Sequence, residues 1–296
     1  MTSRCAITIV IASRCDDARS ELLKRACESV RTMAGAHVYS ILVVANGHRV
    51  SQAVLDWLAT RADTQVVRLQ SGSHALARRV GAEMATGEFL GFLDDDDELL
   101  PGTLDGKLDY FRAHPDVDVL VTDGLLVSGQ STRKIFPPKA ERCDDFVETM
   151  MQVGWSACSF TLRREQIDLA VFDTELRHLE WTLMALKLAR HHKVGFLDEP
   201  AYRYYSDTPD SLSKSAAHAV TAPEIWRRLL DEYAGTRYEA AMRRRHGIEC
   251  HNASWEHARQ GNLREAWRLH LRSLAAPGGL RSYLTYSRKL LPGSRP

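Results

Sequence analysis

A formal net charge of +1 over 296 residues gives no global electrostatic case for nucleic-acid binding, and 44% hydrophobic residues is ordinary for a soluble protein with a real core. The charge is unevenly placed: residues 224–296 hold 14 Lys/Arg against 7 Asp/Glu, about +7, which leaves residues 1–223 at about −6. Such a basic tail on an acidic body suggests a separate job for the tail. The six cysteines form no C-x-x-C pair, which weakens zinc-ribbon and redox readings and fits a reducing cytosol. The apolar run Ala6–Ala12 is too short to span a bilayer.

In chain order, AITIVIA (6–12) is a continuous β-branched run of the kind buried on both faces of a parallel sheet. After the polar turn Ser13–Asp17, ELLKRACESVRTM places Leu22, Leu23, Ala26, Val30 and Met33 at helical spacing. YSILVVANG is a second buried strand, ended by Asn46-Gly47. QAVLDWLATRA is a second helix and TQVVRL a third strand. HALARRVGAEMATG predicts a helix stopped by Gly87 as a C-cap. FLGFL is a fourth strand. Pro101 then opens a helix carrying Leu104, Leu108 and Phe111, and VDVLVTDG is a fifth strand.

Strands alternating with helices predict an α/β fold with a mostly parallel, doubly wound sheet. Ligands in such sheets bind outside the carboxyl ends of the strands. The turns at Ser13-Arg14, Asn46-Gly47 and residues 94–98 all stand at such ends and are expected to share one pocket.

Beyond residue 125 the pattern loosens. GLLVSGQSTRKIFPP reads as a hairpin or loop, CDDFVETMMQVG as a helix, WSACSFTLRR as a strand, LEWTLMALKLARHH as a helix and VGFLDEPAYRYYS as a strand before a loop through Ser215. From Pro223 onward the chain reads as helical and rich in Arg, Trp and Leu.

The acids Asp94–Glu98 are the most specific chemical signal, because five like charges directly follow a buried strand. They are too tightly spaced for a calcium EF-hand. A solvated acidic turn is one reading. The other is a site for a hard divalent cation, since Mg²⁺ and Mn²⁺ take one or two carboxylates plus phosphate oxygens.

The stretches ITIVIASR, VVANG, SGSHALARRVGAEMATGEFLGFLDDDDELLPGTL, FDTELRHLEWTLMALKLA and YRYYSDTPDSLS, in this order from Ile7 to about Ser213, resemble a family 2 glycosyltransferase of GT-A fold. The resemblance implies an inverting, metal-dependent enzyme with a D-x-D motif. Its donor would be a UDP- or dTDP-sugar. Its acceptor would be a hydroxyl on a glycan, lipid-linked or small-molecule partner.

Residue by residue, the resemblance makes Asp94 the ribose contact, Asp96 the ligand for Mn²⁺ or Mg²⁺, and Asp95 and Asp97 their supports. The nucleotide would lie across Ser13, Arg14, Asn46 and Arg78, with Arg203 toward the phosphates. Ala45-Asn46 departs from the usual acids at the second strand end, although an Asn carbonyl still accepts from a pyrimidine N–H. Arg78 matches an arginine of the family's A-R-N stretch, and a solvated helix face is its alternative. Leu179-Glu180-Trp181 stands where the family has Glu-Asp-Trp, which makes Glu180 the catalytic base. Its alternative is an acid favoured at a helix start by the macrodipole. Trp181 either walls the acceptor pocket or belongs to the core. Tyr205 replaces a usual His, while His191 and His192 read as surface residues at a helix end.

Three segments are expected: a nucleotide-sugar-binding half (1–125), an acceptor-binding half (126–222) and a basic helical extension (223–296). In the extension Leu263, Trp267, Leu271 and Leu274 share a helical spacing with Arg264, Arg268 and Arg272 interleaved. Such a helix either packs on the domain or lies on an anionic membrane. A cytoplasmic protein, with peripheral contact at the inner membrane face in the second case, is expected. A sugar nucleotidyltransferase is disfavoured because the turn after the first strand, ASRCDDAR, lacks the usual Gly-rich phosphate loop. A nucleotide-sugar-binding protein without catalysis is the non-enzymatic alternative.

Overall fold

The computed structural model describes residues 5–32, 39–70, 72–136, 145–152, 157–176, 178–208 and 216–291. Cys143 of the expected fifth helix, the Trp155-Ser156 start of one expected strand and most of the loop through Ser215 lie outside them. By packing, the chain divides into residues 1–209 and 210–296.

The first unit is built on β1 (Ile7–Ser13), every residue of which is buried. This explains its unbroken apolar sequence: β2 (Tyr39–Asn46) and β4 (Phe89–Asp94) flank it in parallel, and helices cover the faces. β3 (Thr64–Leu69) continues the parallel set beyond β2. The connecting helices are α1 (Ser20–Thr32), α2 (Gln52–Ala59) and α3 (His74–Met84). The full sheet runs β3-β2-β1-β4-β8-β6-β9-β5, where β5 is Glu98–Leu99, β6 Val119–Ser128, β8 Phe160–Arg163 and β9 Val194–Tyr205, with β7 (Ser131–Lys134) pairing β6.

Beyond β4 the sheet turns mixed. β8 (Phe160–Arg163) lies antiparallel to both β4 and β6, while β6 pairs β9 (Val194–Tyr205) in parallel. β5 is only Glu98–Leu99 and pairs β9 antiparallel, too short to show a period in sequence. Helices α4 (Thr103–Ala113), α5 (Phe146–Gln152) and α6 (Glu180–His191) complete the unit. Leu23, Val30, Leu58, Leu104, Leu108 and Phe111 join the strand side chains in one core.

Two local expectations are corrected. Helix α3 ends at Met84 with Ala85 as its cap, so Gly87 is not the C-cap. Gly87 instead lies against β1: its N–H donates to Thr8 Oγ1 at 2.9 Å, and a Cβ there would lie 2.6 Å from the Thr8 backbone nitrogen. The second correction concerns Pro101, which stands just ahead of α4. The helix N-cap is Gly102 at φ 74, a left-handed conformation that glycine adopts without strain.

The second unit holds α7 (Ala216–Glu232), α8 (Glu239–Arg259), α9 (Leu263–Ala275), α10 (Gly279–Tyr283) and a 3-10 segment, Leu284–Leu290. It is helical as expected, but α7 begins before Pro223, which it accommodates internally. The buried face of α9 is Ala266, Leu269, His270 and Ser273; of the apolar positions noted in the sequence, Leu263 and Leu271 are exposed, while Trp267 packs against Tyr286 and Leu290. No helix among the described residues is long and apolar enough to cross a membrane.

Candidate active site

The register sets the ends of the parallel strands side by side. Ser13 lies opposite Ala45, which precedes Asn46, and Ala12 lies opposite Asp94. The three turns singled out in the sequence therefore open on one edge of the sheet.

The acidic run is not a uniform patch of charge. Asp95 and Asp97 are buried, while Asp94, Asp96 and Glu98 keep part of their surface. The inward pair is fully engaged. Asp95 accepts from Ser13 Oγ at 2.5 Å and from Arg19, whose Nη2 lies 2.5 Å from Oδ1. Asp97 accepts from the Tyr205 N–H at 3.1 Å and from the Cys158 thiol at 3.3 Å. The Asp97 N–H closes a turn onto the Asp94 carbonyl at 3.1 Å. These bonds anchor the turn to β1, to β9 and to the residues ahead of β8. A buried carboxylate without such partners would be costly.

The outward acids face different neighbours. Glu98 is held by Arg25 at 2.7 Å, by Arg203 at 3.4 Å and by the Tyr205 hydroxyl at 3.1 Å. Asp96 lies 3.4 Å from Arg19. Burial and the neighbouring Asp94 push the Asp96 carboxyl above the usual range, against the pull of Arg19. Burial, Asp94 and Asp96 push Asp97 well above it. The cluster thus holds more negative charge than its arginines neutralise.

Donor chemistry decides what such a cluster fits. Oxygen and sulfur atoms of Asp94, Asp97 and Cys158 lie within 4.8 Å of one another. Asp96, the expected ligand, is outside that trio. Yet the thiol is soft, buried and already committed to Asp97, whereas Mn²⁺ and Mg²⁺ select carboxylate oxygens. The partly open carboxylates of Asp94 and Asp96, close enough that the first acts on the second, fit a hard divalent cation.

Arg78 joins this turn to the opposite wall. It lies on α3, nearly buried, and donates through Nη2 to Asp94 at 2.8 Å and through Nη1 to Glu180. Burial acts to discharge the guanidinium, but Asp94 and Glu180 outweigh it and hold the proton more firmly. The same guanidinium sits over the Trp181 ring, 4.7 Å from its centroid. Trp181 in turn packs edge-on to Phe92 and face-on to Phe160, so it belongs to the core and the site wall at once. Ala75, Arg78, Phe172, Asp173, Glu180, Trp181 and Met184 line a pocket. Glu180 opens α6 directly after Leu179, which holds φ 60 and ψ 15. A bulky side chain in this left-handed region is strained, and such strain concentrates at functional positions.

The remaining expected residues divide. Asn46 is buried at the end of β2, and its Oδ1 accepts no hydrogen bond among the described residues. Ser13 is committed to Asp95, and Arg203 to Glu98. Arg14 reaches Asp16 at 3.2 Å with its side chain 45% exposed. Arg79 pairs with Glu83 along the outer face of α3, and His192 lies 3.5 Å from Asp118. Sequence reasoning missed Arg19, Arg25, Cys158 and His74. His74 stands one helical turn before Arg78, and burial together with the Arg78 charge pushes its imidazole toward the neutral form. Its place at the start of the ALARR helix was the available signal.

The sequence pattern described as "Glycosyl transferase family 2" matches residues 9–165, 157 of the 296 residues. The chain belongs to glycosyl transferase family 2. Its match covers β1 from Ile9 onward, β2, β3 and β4, the acidic turn and Arg78. A curated relative is the minor teichoic acid biosynthesis protein GgaB of Bacillus subtilis (strain 168), 24% identical over 190 residues. That match covers 62% of this chain but only 21% of GgaB, so the chain spans about a fifth of that relative's length. Among solved structures, S. aureus TarS 1-349 in complex with UDP-GlcNAc superposes with a TM-score of 0.71 at 16% identity, covering 96% of this chain and 88% of that one. The longer S. aureus TarS structure gives 0.58 at 15% identity and is covered over 53% of its length. At such identity the likeness shows the fold, which is the α/β architecture of the GT-A type with C-terminal helices added.

Proposed function

We propose that the protein is an inverting, metal-dependent glycosyltransferase that moves a sugar from a UDP- or dTDP-sugar to a hydroxyl acceptor. The observation that carries this reading is the Arg78 bridge, which ties Asp94 on the donor side to Glu180 on the acceptor side. Residues 1–125 form the donor half and residues 126–222 the acceptor half, and Arg78 links them. The complexes of TarS with UDP-GlcNAc and with UDP support a uridine nucleotide. The naming of GgaB for minor teichoic acid biosynthesis supports a cell-surface polymer as the acceptor class.

In this reading the Asn46 carbonyl accepts from the pyrimidine N–H, which supplies the partner that its buried Oδ1 lacks. Asp94 meets the ribose. Asp96, with Asp94 beside it, would hold Mn²⁺ or Mg²⁺, whose chemistry there is Lewis-acid neutralisation of diphosphate charge. Glu180 takes the proton of the acceptor hydroxyl. The acceptor oxygen bonds to the anomeric carbon from the face opposite the nucleotide, and the carbon–oxygen bond to the diphosphate breaks. One displacement inverts the configuration without a covalent enzyme intermediate. Arg78 gives the base and the donor a shared counter-charge, so the diphosphate competes with Glu180 for it and donor binding frees the base.

A thermal-shift screen of nucleotide sugars with and without Mn²⁺ tests the class. A metal-requiring nucleotide-diphosphate sugar should raise the melting temperature, and sugar should then appear on an added hydroxyl acceptor. Stabilisation by a donor without either transfer or donor hydrolysis would leave a binding protein and overturn the enzyme reading.

A further inference from the structure

The C-terminal unit carries a surface that sugar transfer does not use. Six large apolar side chains stand exposed among the described residues. Met84 is the one in the first unit; Leu263, Leu271, Leu280, Leu284 and Leu291, each 43% to 61% exposed, all fall in the final helical segments. Helix α9 is amphipathic, but its packing is completed elsewhere. Ala266, Leu269, His270 and Ser273, at i, i+3, i+4 and i+7, form the buried stripe. The exposed leucines of α9 therefore lie beside a face that is already satisfied.

The chain then returns antiparallel to α9. Gly279 packs against Ser273, Ser287 Oγ lies 2.7 Å from His270 Nε2, and the Trp267 indole donates to the Leu290 carbonyl at 3.1 Å. These contacts fix a helical hairpin with exposed leucines on both arms. The hairpin is also strongly basic. Between Leu263 and Leu291 there are six cations (Arg264, Arg268, Arg272, Arg281, Arg288 and Lys289) against one acid, Glu265, which pairs with Arg268.

We infer that this hairpin docks on an anionic lipid surface, with Leu263, Leu271, Leu280, Leu284 and Leu291 as its apolar contacts and Arg264, Arg272 and Arg281 as its headgroup contacts. The charge selects the occupant. A second copy of the chain would set like charges face to face. A nucleic acid would take the arginines but gives leucines nothing to enter, since bases stack on aromatic rings. An anionic bilayer interface accepts both, with leucine in the acyl boundary and arginine among the headgroups. The inference does not rest on the transferase reading.

Sedimentation of the full chain with phosphatidylglycerol-rich vesicles, and with pure phosphatidylcholine vesicles, tests it. The expected result is binding to the first and not the second, weakened by added salt as screening shortens the electrostatic reach. The triple variant Arg264→Gln/Arg272→Gln/Arg281→Gln should bind on the order of a hundredfold more weakly, at the usual contribution of a basic residue near an anionic surface. The double variant Leu271→Glu/Leu284→Glu should lose at least about tenfold through lost insertion. Circular dichroism checks the fold of each. If the leucine variant does not fold, the arginine variant decides. Absence of vesicle binding at low salt, or undiminished binding by the arginine variant, overturns the inference. So does full binding by a folded leucine variant. Self-association that these substitutions abolish, or a preference for single-stranded nucleic acid over vesicles, also overturns it by naming another occupant.

Discussion

Arg78 donates to Glu180 with one guanidinium nitrogen and to Asp94 with another, so a residue of α3 joins two carboxylates that the sequence places 86 positions apart. Arg78 is nearly buried, where a lone cation would be costly, and the two half-buried carboxylates compensate it. The bridge also means that Glu180 stands as an ion pair before donor binds.

Arg78→Gln should therefore act on both halves of the site. Loss of a charged hydrogen-bond donor typically costs about 1.5–3 kcal/mol, so nucleotide-sugar affinity should fall by roughly tenfold to a hundredfold. The melting temperature should fall as well, since Asp94 and Glu180 then face each other without a counter-charge. Isothermal calorimetry and thermal unfolding measure the two effects. Undiminished donor affinity would leave Arg78 with a structural role only.

Glu180→Gln separates proton transfer from binding. The amide keeps the size and a hydrogen bond to Arg78 through its carbonyl, but it does not accept the acceptor's proton. General-base catalysis contributes about 10²–10⁴-fold, and turnover should fall by that order, while donor affinity should hold or rise because the diphosphate then meets a weaker competitor for Arg78. Glu180→Asp, one methylene shorter, should retain activity between the Gln variant and the parent. Near-parental transfer by Glu180→Gln would move the base elsewhere, and Asp173 in the same pocket is the next candidate.

The alternation along the acidic run predicts opposite phenotypes for adjacent residues. Asp96→Ala removes an outward carboxylate and should abolish metal-dependent nucleotide binding with little loss of stability. Asp95→Asn weakens the bonds to Ser13 and Arg19 that fasten the turn, and should cost about 1–3 kcal/mol of stability as buried partners lose their match. Calorimetry with Mn²⁺ and nucleotide, beside chemical denaturation, reads both. Retained metal-dependent binding in the Asp96 variant would sink its assignment as the ligand.

Much of this was legible in the sequence because it depends on local pattern. A run such as Ile7–Ser13 has few alternatives to a strand covered on both faces, and acids at the end of Phe89–Asp94 must sit where such a strand emerges. What stayed hidden depends on contacts distant in sequence. Arg19 and Asp95 meet across 76 positions, and Cys158 and Asp97 across 61. Neither pair leaves a trace in spacing. The antiparallel placement of β8 between β4 and β6 is hidden for the same reason, since a four-residue strand carries no signal of direction. On α9 the helical period is legible, but the choice of packed face is not: Ala266 and Ser273, too small to stand out in the sequence, are buried with Leu269 and His270, while Leu263 and Leu271 are exposed.

Asn46 offers a test of base recognition that does not involve the acids. Its carboxamide oxygen is buried at the end of β2 and accepts no hydrogen bond among the described residues. Asn46→Leu removes that acceptor, so a uridine nucleotide that donates to it should bind about tenfold more weakly. The free protein should lose little stability, because no bond to Oδ1 is broken there. Competition by UDP measured on parent and variant checks this, and equal affinity would place the base elsewhere.

Lys107 is the clearest case of a charge that the fold holds at a cost. It lies on α4 with 2% of its surface exposed, and burial pushes its ammonium down to about 8, against a smaller opposing effect from Cys158. The folded value lies below the unfolded value of about 10.4, so the folded protein releases this proton at lower pH than the unfolded chain. The destabilisation is therefore fully present below about pH 8 and is relieved as the pH rises toward about 10, where the unfolded chain still binds the proton. A shift of this size corresponds to about 3 kcal/mol. Lys107→Met keeps the length and apolar stem of the side chain without the charge. The variant should melt higher than the parent at pH 7, and the difference should shrink as the pH is raised from 8 to 10. Thermal unfolding of both proteins across that range measures it. A variant less stable than the parent at pH 7 would show instead that the ammonium holds the interior of the first unit together.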